Sequence, residues 1–115
     1  MTEASRSFDR TRQAILRKPE VAALYLEEAL AAGDADAFKL ALRHVAEARL
    51  GGIAGLAHET DLNREALYRT LSKRGNPTLD TLSRVLGALG LRVAVHVAEA
   101  TDGPGRPKAE NAAAS

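Results

Sequence analysis

Arg64, Glu65, Tyr68, Arg69 and Ser72 fall within an arc of roughly 140° when residues 64–72 are wound at about 100° per residue, while Ala66, Leu67 and Thr70 point away. Such a face carries the groups that read the edges of base pairs. A guanidinium from Arg64 or Arg69 donates two parallel hydrogen bonds to guanine, Glu65 accepts from the cytosine amino group, and Tyr68 reaches a phosphate or packs on a thymine methyl. Ser72 ends this face, and behind it Lys73, Arg74, Asn76 and Thr78 surround Gly75 in a segment suited to lie along a phosphate backbone. The exposed amides of the following helix are further donors to phosphate.

The elements that must position these groups follow from periodicity and caps. Ile53–Thr60, Arg64–Ser72 and Leu79–Leu89 are expected as three short helices, the second capped by Asn63 and the third by Thr78, with Asp80 favourable to its N-terminal dipole. Leu56 and Ala57 give the first of them an apolar side. Asp61, Leu62 and Asn63 form the turn, aspartate tolerating the left-handed conformation better than most residues. Two short helices, a tight turn and one polar face are the parts of a helix-turn-helix, placed here at about residues 53–72.

Upstream, the spacing predicts a short helix over Phe8–Lys18, broken by Pro19, and a second over about Glu20–Ala32 with Ala22, Leu26, Ala29 and Leu30 inward and Gly33 closing it. Asp34 then caps a third, in which Phe38, Ala41, Leu42 and Val45 recur at i, i+3, i+4 and i+7 and which Gly51 and Gly52 end. Gly90 closes the last helix. Beyond it Leu91, Val93, Val95 and Val97 alternate with Arg92, Ala94 and His96, the period of a half-buried strand over 91–97. The fold class expected is an all-α bundle with N-terminal helices and one short C-terminal β-strand. Residues 1–7 read as a flexible start, 8–98 as one domain, and 99–115, rich in Ala, Gly and Pro, as a disordered tail.

Composition bounds the chemistry. The 115 residues suit one core built from Ala, Leu and Val, and the absence of cysteine excludes disulfides and thiolate metal sites. The start of the chain is polar and no apolar run approaches the roughly 20 residues of a membrane span, so a cytoplasmic protein is expected. A net charge of +1 gives no global attraction to nucleic acid, which leaves local basic residues to supply it. His44, His58 and His96 share no metal-binding spacing. His58-Glu59 opens like a zinc-protease motif, but Leu62 occupies its second histidine position. Gly51, Gly52 and Gly55 lack the preceding strand and following Lys-Ser/Thr of a phosphate loop, and are read as helix-ending and close-packing glycines. No enzyme and no cofactor are expected.

Tyr25-Leu-Glu-Glu-Ala-Leu30, Gly33-Asp34, Phe38, Ala41-Leu42, Val45-Ala46, Leu67-Tyr68-Arg69-Thr-Leu71-Ser72, Gly75-Asn76-Pro77, Thr81-Leu82 and Leu86-Gly-Ala-Leu-Gly-Leu91 together resemble the addiction-module antidote family. The resemblance runs from about Phe8 to Val95. It implies a lambda-repressor-like (XRE/Cro-type) helix-turn-helix and a type II antitoxin that neutralises a toxin of the RelE/ParE fold and represses the operon encoding both. Carried over by position, Asn63, Arg64, Glu65, Tyr68 and Arg69 match the start of the recognition helix, and Asn76 and Thr78 the loop and cap after it. Two positions depart from the pattern. Gly51-Gly52-Ile53-Ala54-Gly55 stands where many relatives place a polar, phosphate-holding side chain, so backbone amides would serve, and Asp61 stands where the turn usually has glycine.

A lone strand leaves hydrogen-bonding edges open, so Leu91–Val97 should pair, most economically with its own copy in a homodimer that spaces two recognition helices for a palindromic site. Pairing within the chain or with a toxin sheet stays open. The segment Phe8–Ala32 serves as extra core, or else its outward face with Tyr25, Glu27 and Glu28 holds a basic toxin. Two other functions compete: a free-standing regulator without a toxin, and a protein-interaction module that has kept the fold but binds no DNA.

Overall fold

The computed structural model describes residues 3–98, and among these it contains six helices and no strand. They are α1 (Glu3–Leu16), α2 (Pro19–Ala31), α3 (Ala35–Leu50), α4 (Ile53–Thr60), α5 (Arg64–Thr70) and α6 (Leu79–Ala88). None of them is long and apolar enough to cross a membrane. The expected fold class holds as far as all-α goes. α1 starts five residues ahead of Phe8, so residues 3–7 are helical, and the expected tail over 99–115 lies outside the described residues.

Local chemistry accounts for most boundaries. Pro19 takes the first turn of α2, where its missing amide costs nothing. The Asp34 carboxylate accepts from the amides of Asp36 and Ala37 to start α3, Asn63 accepts from Ala66 to start α5, and Thr78 accepts from Thr81 to start α6.

α3 is the hub, packing against α1, α2 and α4, while α4 in turn packs against α5 and α6. Its stripe of Phe38, Ala41, Leu42, Val45 and Ala46 is buried as the periodicity predicts, and meets Leu16, Ala22 and Leu26 on one side and Ile53, Leu56, Leu67, Leu71, Val85, Leu86 and Leu89 on the other. On α2 the expected inner row is only partly right. Ala22 and Leu26 are buried and Ala29 packs against the core, but Leu30 is 60% exposed. Tyr25 does not face outward with Glu27 and Glu28: it packs against the core, and its hydroxyl hydrogen-bonds His44 Nδ1 at 2.7 Å, tying α2 to α3. A phenol with a polar tip gains more from that partner than from exposure.

The joint between α3 and α4 is tight. Gly51 and Gly52 take φ of 80° and 106°, and Gly55 lies so close to α3 that a Cβ there would overlap the carbonyl oxygen of Leu50.

The strand expected over 91–97 is absent. After α6, Leu91 still packs on the core, but Val93, Val95 and Val97 are 48%, 93% and 86% exposed and no ladder forms. The physical reason is that a strand is defined by a neighbour, and the helical body of one chain offers none.

Two predictions follow from this packing. Gly55→Ala destabilises the protein by about 1–3 kcal/mol, because backbone must move, whereas Gly87→Ala, a helical position with open space around it, stabilises by about 0.5–1 kcal/mol; urea unfolding of both variants checks the contrast. For His44, burial chiefly, and then Arg12 and Arg43 against the opposing Glu47 and Asp9, lower the imidazole pKa from its ordinary 6.5. The unfolded chain then binds the proton more readily than the folded one, so stability is full above about pH 6.5 and falls as pH drops through 6.5 toward the lowered folded value. His44→Gln should shrink the loss of thermal midpoint between about pH 7.5 and 5.5; an unchanged loss means that His44 does not contribute.

Candidate nucleic-acid interface

The turn between α4 and α5 is built by side chains of its own. The Thr60 hydroxyl donates to the Leu56 carbonyl at 2.8 Å and accepts from the Leu62 amide at 3.3 Å. Leu62 packs on the core, and Asp61 takes the left-handed conformation at φ 60°, alone among the described non-glycine residues. The glycine-like position is thus held by one of the few residues for which it is inexpensive.

α5 shows the division of faces that its wheel implies. Leu67 is buried, Ala66 and Thr70 are half-buried, and Arg64, Glu65, Tyr68 and Arg69 are exposed side by side. The Arg64 guanidinium lies 5.7 Å from the Tyr68 ring centroid, a cation–π distance that gives both side chains a preferred direction. Asn63 and Ser72 are committed to the helix ends. The Asn63 side-chain oxygen caps α5, and the Ser72 hydroxyl donates to the Arg69 carbonyl at 2.6 Å. Thr78 likewise caps α6. Lys73, Arg74 and Asn76 are exposed in the segment between. Of the ten residues singled out in 63–78, then, four on α5 and three in the loop present exposed side chains, while Asn63, Ser72 and Thr78 shape the backbone that carries them.

Sequence reasoning missed what holds that stretch in place. Lys39 of α3 is 3% exposed, and its ammonium donates to the carbonyls of Lys73 at 2.9 Å and Gly75 at 2.6 Å, with Asp36 at 3.3 Å as counter-ion. One turn further along, Arg43 donates to the carbonyl of Leu71. These cations also complement the negative end of the α5 dipole. Gly75 folds back so closely under α5 that a Cβ would overlap the carbonyl oxygens of Arg69 and Thr70. One signal was present: Lys39, Leu42 and Ala46 lie at i, i+3 and i+7, a lysine on a stripe that is otherwise buried.

Among the described residues no group of three or more His, Cys, Asp or Glu could hold a metal. The site is a helical face of hydrogen-bond donors with one acceptor, Glu65, beside a cationic loop, suited to reading a surface.

Comparison with known proteins bears on what that surface meets. A relative from Haemophilus influenzae, an uncharacterised protein, is 36% identical over 95 residues, which cover 83% of this chain and 94% of its own. No solved structure matches. Residues 5–97, the whole of the helical body apart from its first two residues, match the model of a family described as "probable addiction module antidote protein". The chain belongs to the addiction module antidote family.

Proposed function

We propose that this protein is the antitoxin of a type II toxin–antitoxin module, and that it binds operator DNA through α4 and α5 acting as a lambda-repressor-like, XRE/Cro-type helix-turn-helix. The observation that carries the DNA reading is the exposed row of Arg64, Glu65, Tyr68 and Arg69, continued by Lys73, Arg74 and Asn76. In this reading α5 enters the major groove, where Arg64 and Arg69 recognise guanine edges, Glu65 takes a cytosine amino group and Tyr68 meets a methyl or a phosphate. The loop follows the backbone. A net charge of +1 for the whole chain sets no obstacle, since the local balance over 64–74 is four basic side chains against Glu65 alone.

Family membership supports a toxin partner in general, and the earlier resemblance supports one of the RelE/ParE fold whose operon this protein represses. The exposed valines support self-association. Leu91, Val93, Val95 and Val97, two residues apart on an unpaired segment, pair antiparallel with the same segment of a second copy and set two recognition helices for a palindromic site.

Two measurements test this. On DNA from upstream of its own reading frame, the wild type gives a mobility shift that scrambled DNA does not. Arg64→Ala with Arg69→Ala loses about 1–3 kcal/mol per base contact, while Asp61→Asn, which keeps the left-handed turn and removes a negative charge, binds more tightly. Failure of folded wild type to shift its own promoter DNA, alone or with its neighbouring gene product, favours a protein-interaction module. By sedimentation, the wild type has the mass of a dimer at micromolar concentration and Val95→Asp that of a monomer; a monomeric wild type rules out the paired strands.

A further inference from the structure

The loop that follows α5 seats its backbone against that helix at Gly75 but buries none of its larger side chains. Its residues 73, 74 and 76 are exposed, and beside Asn76 and Pro77 lies an open cleft lined also by Leu30, Phe38, Lys39 and Leu82. Besides the Gly75 amide, which donates to the Ser72 carbonyl at 3.0 Å, what fixes the loop is polar and comes from α3. The Lys39 ammonium spans the carbonyls of Lys73 and Gly75, which flank Arg74, and is itself held by Asp36 across one helical turn. Arg43 does the same for the Leu71 carbonyl at the end of α5. A buried ammonium satisfied by two carbonyls and one carboxylate gives a directional, charge-assisted tether. Its removal leaves carbonyls without a partner.

We propose that Lys39 is a positioning residue for the DNA-phosphate contacts of this protein. It touches no DNA, and by holding both carbonyls it directs the side chains of Lys73, Arg74 and Asn76 outward along the path of a phosphate backbone. The inference rests on the DNA reading of α5 and adds to it a residue one helix away. The arrangement has a mechanical logic. Lys39 lies on the same helix as the buried stripe of Leu42, Val45 and Ala46, so the loop is referenced to the helix that contributes most to the core.

The test uses the full chain, with fluorescence anisotropy on a duplex from upstream of its own reading frame and on a scrambled duplex, across a salt series. Four proteins are compared with wild type: Lys39→Met, Lys39→Arg, Lys73→Ala with Arg74→Ala, and Lys39→Met combined with that loop variant. Circular dichroism establishes folding, and Lys39→Gln, too short to span both carbonyls, replaces the methionine variant should that one not fold. The expected result is that Lys39→Met weakens binding to both duplexes by about tenfold or more. It also lowers the salt slope as the loop variant does, by about two phosphate contacts. The two changes combined cost well under the sum of the separate losses, the excess over the loop variant being no more than the remaining Asn76 contact, because Lys39 acts through those side chains. Lys39→Arg restores most of the affinity. Wild-type binding with an unchanged affinity and salt slope in Lys39→Met overturns the proposal alone, as does strict additivity with the loop variant. A wild type that binds neither duplex overturns it together with the DNA reading.

Discussion

Leu42, Val45 and Ala46 are wholly buried on α3, and they stand between two groups of helices that otherwise have little to do with each other. α1 and α2 pack on one side of this row, α4 packs on the other, and α5 and α6 reach the core through α4 and through Leu67, Leu71, Val85 and Leu89. The constraint is geometric as well as energetic. Sixteen residues of helix give α3 enough length to carry both groups, whereas the helices of the candidate interface are eight and seven residues long and are fixed by what they rest on.

Polar chemistry is used where apolar packing runs out. Lys39 and Arg43 extend from the same helix as the buried row but reach the loop through its carbonyls, and so order a stretch that has no apolar residue of its own to bury between Ser72 and Asn76. Tyr25 and His44 perform a comparable task between α2 and α3, with a neutral imidazole as partner to a phenol. The Thr60 hydroxyl and the left-handed Asp61 set the angle at which α5 leaves α4. Each of these devices is placed at a joint between helices.

Those differences explain what could be read in advance. Caps such as Asp34, Asn63 and Thr78 bond to amides two or three residues away, so the starts of α3, α5 and α6 are visible in a short window of sequence. The outward row on α5 follows from helical period alone. Lys39 and Arg43 were not legible as a clamp, because their partners are main-chain carbonyls 28 to 36 residues downstream and a carbonyl has no sequence signature. Tyr25 was misplaced for a similar reason, since its partner His44 sits 19 residues away on another helix. Residues 91–97 show the reverse case. Their alternation is plain in the sequence, yet pairing depends on a neighbouring strand that the described residues do not supply.

The seven residues of α5 have a thermodynamic corollary. Helices shorter than about 12–15 residues are marginal in water when isolated, so the outward face of α5 exists only while Leu67 and Leu71 remain seated against the rest of the core. No partly unfolded species can therefore keep that face ordered after α3 has melted. The cationic surface is thus no more stable than the seating of Leu67 and Leu71, and a local opening that unseats those two side chains dissolves it while Leu42 is still buried.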